Sequence, residues 1–213
     1  MNVLIRGSLI LLLVGPGYAE STSTSLPSNV VKVTKKNNPK CVEYITYKNQ
    51  MYCSLVALGK TTVDPEILTY ETQNIQFDNR AWKAAWGQKN NAALTVEYIP
   101  VGGTIDNWSE LITSQYLPGM ADVSAKEFKK RFIANLEKSG ITYSTNIIDE
   151  QPNQIIFEFK VTVPTNLQQD EIQKIIKSKD GIYVLHYAMK KADMGKENRQ
   201  KWIEKLKKST VKQ

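Results

Sequence analysis

A strict alternation of side chains between Ile155 and Val163 constrains the fold of this chain more than any other feature of its sequence. Large apolar residues occupy every second position there, and mostly polar residues lie between them. Because successive side chains of a strand point to opposite faces of a sheet, this period of two predicts a half-buried β-strand. The apolar positions are Ile155, Phe157, Phe159, Val161 and Val163.

Further strand patterns surround this segment. Residues 81–86 and 92–100 predict two strands that flank a turn at 87–91, and residues 142–149 predict another strand. Residues 171–189 predict a hairpin that turns at Asp180-Gly181, because this pair tolerates positive φ at both central positions of a tight turn.

Helix signals separate these hairpins. Two four-residue sequences, which begin at Asn107 and Ser124, fit a capping box, in which two side chains satisfy free backbone amides at a helix start. The second opens an amphipathic helix that ends at Ser139-Gly140. A closing helix is predicted from Gly195 to Ser209. Antiparallel hairpins separated by helices favour an α+β layered domain over a doubly wound parallel sheet.

The first nineteen residues have the layout of a secretory signal peptide. Arg6 precedes a short apolar run, Gly15-Pro16 breaks that run, and cleavage is expected after Ala19. The alternative is a membrane anchor, which would need about 20 apolar residues, far more than the run contains. We therefore predict a secreted or periplasmic protein whose mature chain has no transmembrane segment and begins with a flexible arm over residues 20–40.

Two cysteines, Cys41 and Cys53, fit an exported protein. In an oxidising compartment they most simply form a disulfide that staples a hairpin, within a region of hairpin and linker over 41–70. Two free thiols are the alternative, whereas a redox catalyst would need a Cys-x-x-Cys spacing. The midpoint of the pair, Tyr47, precedes the best turn residues, so the disulfide is expected off the cross-strand register. With two cysteines and one histidine, a zinc cage of Cys and His ligands is excluded, and we expect no metal site and no cofactor.

His186 is the one histidine and therefore the one candidate imidazole base. If the hairpin turns at Asp180-Gly181, Ile175 faces His186, which then lies on the less buried side. A structural role and a catalytic or sensing role both fit, but a Gly-x-Ser-x-Gly elbow is absent and no catalytic residue is predicted. We interpret the acidic pairs Asp149-Glu150 and Asp170-Glu171 as solvated turn residues, although glycosidases also use two carboxylates.

The basic surface is the sequence feature with the widest functional meaning. Lys and Arg total 28 against 21 Asp and Glu, a formal charge of +7. Either the basic helices form a solvated face, or they attract an acidic protein, anionic lipid headgroups or glycans, with peripheral membrane contact. Nucleic acid is not expected, because aromatic residues do not alternate with basic ones as in RNA-binding sheets. The candidate residues are Lys126, Lys129, Lys130 and Arg131 on one helix and Lys201, Lys205 and Lys208 on the last.

Residues 71–213 resemble the PsbP-like superfamily, which includes the Ran-binding Mog protein and small exported bacterial lipoproteins. The matching features are the strand at 82–86 with its partner at 93–100, the sequence Asn107-Trp108-Ser109-Glu110-Leu111, the helix at 126–137, the Asp180-Gly181-Ile182-Tyr183 hairpin that ends in Tyr187, and the closing helix with Arg199 and Trp202. The resemblance implies an antiparallel sheet sandwiched by helices, used for binding and without a shared active site.

These observations lead to one expected function and two alternatives. We expect a secreted, non-enzymatic binding module that docks an acidic partner through its basic helices, as an exported bacterial factor that acts outside the cell. One alternative is a secreted hydrolase that acts on a wall, glycan or ester substrate. The other is an accessory subunit of an envelope assembly.

Overall fold

The computed structural model describes residues 30–41, 43–47, 50–54 and 65–212. These residues fall into two compact units, 30–54 and 65–212, and each is described by itself. The predicted signal peptide and the first part of the predicted arm, up to residue 29, lie outside the described residues, as does most of the predicted linker.

The smaller unit is an antiparallel three-stranded sheet closed by the predicted disulfide. Strands β1 (Val30–Lys32), β2 (Glu43–Tyr47) and β3 (Gln50–Ser54) lie in the order β1-β3-β2. The Cys41–Cys53 disulfide is confirmed, with 5.4 Å between the two Cα atoms. It lies off the cross-strand register as expected, because Cys53 faces Tyr44 on β2 whereas Cys41 precedes that strand.

The prediction of a flexible arm as far as residue 40 is corrected by β1. Val30 and Val31 are β-branched residues that favour extended backbone, and they pair with Ser54 and Cys53 on β3. Short strands of this kind carry too few residues for a periodic pattern to be recognised in the sequence.

The larger unit is built on one antiparallel sheet of seven strands, in the order β5-β6-β7-β11-β10-β9-β8. A short pair, β4 with β12, lies apart from it. Within the described part of the chain, no helix has the length and apolar character needed to cross a bilayer. The elements in chain order are α1 (Pro65–Thr69), β4 (Gln73–Asn74), β5 (Trp82–Lys89), β6 (Leu94–Pro100), β7 (Glu110–Leu117), α2 (Ala125–Lys138), β8 (Thr142–Gln151), β9 (Gln154–Val163), β10 (Gln169–Lys177), β11 (Ile182–Met189), α3 (Lys196–Lys208) and β12 (Thr210–Val211).

The two long helices cover opposite faces of this sheet. Val184 on β11 belongs to the apolar cluster that contains Phe132 of α2, whereas the next residue, Leu185, belongs to the cluster that contains Trp202 of α3. The Trp202 ring stacks on Tyr187, with 4.0 Å between the ring centroids. Because neighbouring side chains of a strand point to opposite faces, α2 and α3 lie on different sides. The predicted α+β layered arrangement with antiparallel strands is therefore confirmed.

One predicted helix start is wrong. The sequence at Asn107 forms the end of a short 3₁₀ turn, and Glu110 begins strand β7. Strand β7 pairs with β6 and β11, the side chains of Leu111 and Ile112 are buried on its two faces, and this burial outweighs the local capping signal. The other predicted start is confirmed, because the Ser124 hydroxyl accepts a hydrogen bond from the amide of Glu127 at 3.1 Å and α2 follows.

The hairpin between β10 and β11 has a longer turn than predicted. Lys177 pairs with Ile182, so four residues form the turn and His186 faces Gln173, where Ile175 was predicted. A glycine is required at position 181, where the turn ends, because a Cβ there would overlap the carbonyl oxygen of Leu117 on β7. The first hairpin is also shifted, since β5 continues to Lys89, within the predicted turn at 87–91, and β6 begins at Leu94.

The two predicted capping boxes offer a matched test of the finding that Ser124 caps a helix and Asn107 does not. Replacing Ser124→Ala should lower the free energy of unfolding by about 1 kcal/mol, because the amide of Glu127 loses its acceptor. Asn107→Ala should change it by less than about 0.5 kcal/mol, since exposed substitutions away from caps have small effects. Urea unfolding of both variants measures the difference, and equal losses would contradict it.

Candidate functional site

The basic residues predicted on α2 lie on an outer helix surface that acidic neighbours partly neutralise. The Lys126 ammonium lies 3.0 Å from the Glu150 carboxylate, and the Arg131 guanidinium lies 3.0 Å from that of Glu127. The Lys129 ammonium lies 5.6 Å from the centre of the Phe157 ring. Lys130, which is exposed, completes the predicted set.

The basic residues predicted on α3 form a continuous stripe. Lys201, Lys205 and Lys208 are spaced four and three residues apart, so they lie on one side of the helix, next to the buried Trp202 and Leu206. Lys201 pairs with Asp78 at 3.2 Å. Among the ion pairs of residues 65–212, none involves Lys205 or Lys208. We call these three lysines the α3 stripe.

The two predicted basic sets do not converge. Because α2 and α3 cover opposite faces of the sheet, one flat anionic surface cannot contact both sets at once. The structure thus separates the α2 set, in which two of four cations are paired, from the α3 stripe, whose last two lysines have no acidic partner within 65–212.

A row of polar side chains crosses the centre of the sheet on the face that α2 covers. Glu97 on β6 faces Thr113 on β7, Thr113 faces His186 on β11, and His186 faces Gln173 on β10. Each of the four is at most 5% exposed. We call Glu97, Thr113, His186 and Gln173 the central row.

The carboxylate of Glu171 orients two members of the central row. It lies 2.5 Å from Nδ1 of His186 and accepts a hydrogen bond from Nε2 of Gln173 at 2.7 Å. The Gln169 side-chain amide donates to its other oxygen at 2.5 Å. A hydrogen bond from Nδ1 of His186 to this carboxylate places the ring proton on Nδ1, and Gln173 presents its NH₂ group to the same oxygen.

Three members of the central row each have one buried polar atom without a partner among the described residues. Nε2 of His186, Oε1 of Gln173 and Oγ1 of Thr113 are all buried and make no hydrogen bond within the part of the chain that the structure describes. A buried polar atom without a partner costs about 1–3 kcal/mol. Burial also raises the pKa of Glu97, the fourth member, to about 7. Three unpartnered atoms and one perturbed carboxyl group therefore share a single register of the sheet.

Two predictions about this region are wrong. His186 was expected on the less buried side of its hairpin, yet it is 5% exposed, and the side chains of the same strand are buried on both faces of the sheet. Asp170 and Glu171 were expected as solvated turn residues, yet both are fully buried within β10. The other acidic pair, Asp149-Glu150, lies near the end of edge strand β8.

Sequence reasoning missed Glu97, Thr113 and Gln173 as members of a site. Each occupies an ordinary polar position of an alternating strand, and only the register of β6, β7, β11 and β10 brings them next to His186. Within the described residues, no group of three or more His, Cys, Asp or Glu side chains is arranged to hold a metal ion.

Comparison with protein families places residues 71–213, two thirds of the chain, within the model of one family. The chain belongs to that family. The matched range of this chain contains β4, the complete seven-stranded sheet, both long helices and the central row. The disulfide-closed sheet at 30–54 precedes the matched range. A search of curated proteins found no match to the chain.

The buried carboxyl group of Glu97 predicts a pH-dependent stability. Its pKa of about 7 in the folded chain exceeds the ordinary value of 4.5, so the unfolded chain releases this proton first as the pH rises. The contribution of the protonated Glu97 carboxyl group to the free energy of unfolding is fully present below pH 4.5. It is lost as the pH rises through 7. Glu97→Gln should remove that loss and stabilise the protein at pH 8 by up to about 3 kcal/mol.

Urea unfolding at pH 5, 6, 7 and 8 measures this effect. Glu204→Gln, which changes an exposed carboxylate on α3, is the matched control and should keep the pH dependence of the native protein. The interpretation fails if Glu97→Gln and the native protein lose stability in parallel.

Proposed function

We propose that this protein is an exported, non-enzymatic binding module that docks an anionic partner through the α3 stripe. The observation that carries the proposal is the arrangement of Lys201, Lys205 and Lys208 on one side of a helix whose adjoining side is anchored in the core by Trp202 and Leu206. Because the helix is held rigidly, the three charges face a partner together.

The α3 stripe is a better docking surface than α2. On α2, two of the four cations already have a carboxylate at 3.0 Å, whereas on the stripe Lys201 alone has one among residues 65–212. Unpaired ammonium groups keep their full attraction for an external anion. Lysines in the last turn of a helix also interact favourably with the helix dipole, by about 0.3–1 kcal/mol. This contribution must be separated from binding in any test.

Further features support an exported PsbP-like module. Within residues 71–213, an antiparallel sheet lies between two helices. This arrangement fits the sandwich that the resemblance to the PsbP-like superfamily implies. The Cys41–Cys53 disulfide fits an oxidising compartment, as expected if a signal peptide is cleaved after Ala19 and the chain is secreted or periplasmic. Anionic lipid headgroups, acidic proteins and acidic glycans are the partner classes available there.

A triple variant of the stripe tests the proposal. Lys201→Gln, Lys205→Gln and Lys208→Gln together should weaken binding to phosphatidylglycerol-containing vesicles or to heparin on the order of a hundredfold at low salt, since each lysine contributes about 1 kcal/mol. Vesicle flotation across a salt series and heparin chromatography measure the loss and show which of the two partners is preferred. Unfolding curves of the same variant measure the dipole contribution separately.

The matched control is Lys126→Gln, Lys129→Gln and Lys130→Gln on α2, which removes the same charge from the other face. It should lower the affinity much less. Equal losses in both variants would show a diffuse attraction in place of a defined surface. Absence of binding to either anionic partner at low salt would overturn the proposal.

A second candidate function is hydrolysis, and the contact between His186 and Glu171 favours it. An imidazole whose Nδ1 is held by a carboxylate leaves Nε2 to act as a base, and the hydroxyl of Thr113 lies on the facing residue. If this function is correct, a panel of ester substrates should be turned over, and His186→Gln should abolish turnover without affecting heparin binding. Turnover that survives in this variant would exclude His186 as the base.

A further inference from the structure

The outer edge of strand β8 has no partner strand within residues 65–212. β8 ends the seven-stranded sheet and pairs with β9 on one side only. In an antiparallel pair, every second residue directs its backbone N–H and C=O groups away from the neighbouring strand. The backbone hydrogen bonds that join separate elements of this unit involve no residue of β8. A row of backbone donors and acceptors is therefore available to another chain.

The two edge strands of the sheet differ in how they resist such pairing. Lysine, proline and bulges are the usual means by which proteins block a sheet edge. At the other end of the sheet, β5 carries Lys83 and Lys89, and a bulge interrupts its register with β6. β8 is ten residues long and contains no lysine, arginine or proline. The β8 edge is thus the less protected of the two.

The stretch of β8 from Tyr143 to Ile147 is complementary to itself. Its register with β9 is unbroken, and irregularities lie at either end of it. Because successive side chains alternate between faces, Tyr143, Thr145 and Ile147 share one face. When two copies align antiparallel about Thr145, each Tyr143 faces Ile147 of the other copy and the two Thr145 side chains face each other. Aromatic residues opposite β-branched ones, and Thr opposite Thr, stabilise a sheet by about 0.2–1 kcal/mol per pair.

The exposure of these side chains agrees with this alignment. Ile147 is 48% exposed although it is a large apolar residue, and Thr145 is exposed as well. Tyr143 is half-buried, and its hydroxyl donates to the Glu137 carboxylate in the last turn of α2 at 2.9 Å. A tyrosine held in this way offers its ring to Ile147 of a second copy, which would cover that exposed side chain.

The charges of β8 favour an antiparallel alignment of two copies over a parallel one. Asp149 and Glu150 lie near the end of the strand, and its start at Thr142 is uncharged. Antiparallel pairing brings the acidic end of one copy to the uncharged start of the other, which follows the exposed Lys138 at the end of α2. Parallel pairing would place like charges side by side, which is destabilising.

From these observations we propose that β8 is a self-association edge, at which a second copy of this protein pairs antiparallel about Thr145. The two seven-stranded sheets then form one continuous sheet. The two-fold axis of such a pair is perpendicular to the sheet, so both α3 helices lie on the same face. The dimer thereby presents two α3 stripes to one anionic surface. This last consequence rests on the proposed docking function, whereas the pairing of β8 does not.

Charge changes at Thr145 test the pairing and its register together. Thr145→Lys puts two ammonium groups opposite each other and Thr145→Glu puts two carboxylates there, so each variant alone should associate about tenfold more weakly than the native protein. An equimolar mixture of the two variants should recover the dimer, because mixed pairs join opposite charges. Sedimentation velocity from micromolar to millimolar concentration measures the association, which we expect to be weak because one strand pair is a small interface.

Matched variants decide whether the β8 edge is responsible. Thr104 is an exposed threonine before the 3₁₀ turn at 105–107 and makes no side-chain capping bond, so Thr104→Lys should leave the association unchanged. The triple glutamine variant of the α3 stripe should also dimerise normally, so failure of the docking function and failure of this pairing are distinguishable. In hydrogen exchange, amides between Tyr143 and Ile147 should be protected further only at concentrations where the dimer forms.

Three results would overturn the proposal. A native protein that stays monomeric up to millimolar concentration would leave this edge to a strand of a different protein. Equal weakening by Thr145→Lys and Thr104→Lys would show that net charge controls the association. A mixture of the two Thr145 variants that associates no better than either alone would show that β8 does not pair about this residue.

Discussion

Burial of β10 and β11 on both faces is the constraint on which the rest of the larger unit depends. All side chains from Ile182 to Ala188 are buried, so every polar group on these strands must find its partner inside the protein. On the α3 side this happens fully for Lys174, whose ammonium donates to the backbone carbonyls of Leu206 and Ser209 at the end of that helix. Burial lowers the pKa of Lys174, and these carbonyls compensate for the water that the ammonium has lost.

The same constraint is met only partly on the α2 side. Glu171 satisfies one end of His186 and one end of Gln173, but the other ends remain without partners among the described residues. Natural sequences keep such costly groups chiefly where function requires them. The two sides of one sheet thus differ, with a basic helix packed on one face and a row of buried polar side chains on the other.

How much of this could be predicted depends on the range of the interaction. The α2 helix is predictable because the Ser124 cap and the residues it satisfies lie within one helical turn. The equivalent signal at Asn107 is misleading, because burial of β7 between β6 and β11 outweighs it. The central row is not predictable, since Glu97, Thr113 and His186 are neighbours only through strand pairings between residues far apart in sequence.

The sequence by itself determined the antiparallel layered class, the disulfide, both long helices and the strand that contains Phe157, because each depends on local periodicity or on a unique residue pair. Only the tertiary structure decided that the basic helices lie on opposite faces, that Glu171 is buried beside His186, and that the hairpin turn has four residues. Periodicity shows which side chains of one strand share a face. It does not show which strand lies beside it or in which register, because those depend on how the whole core packs.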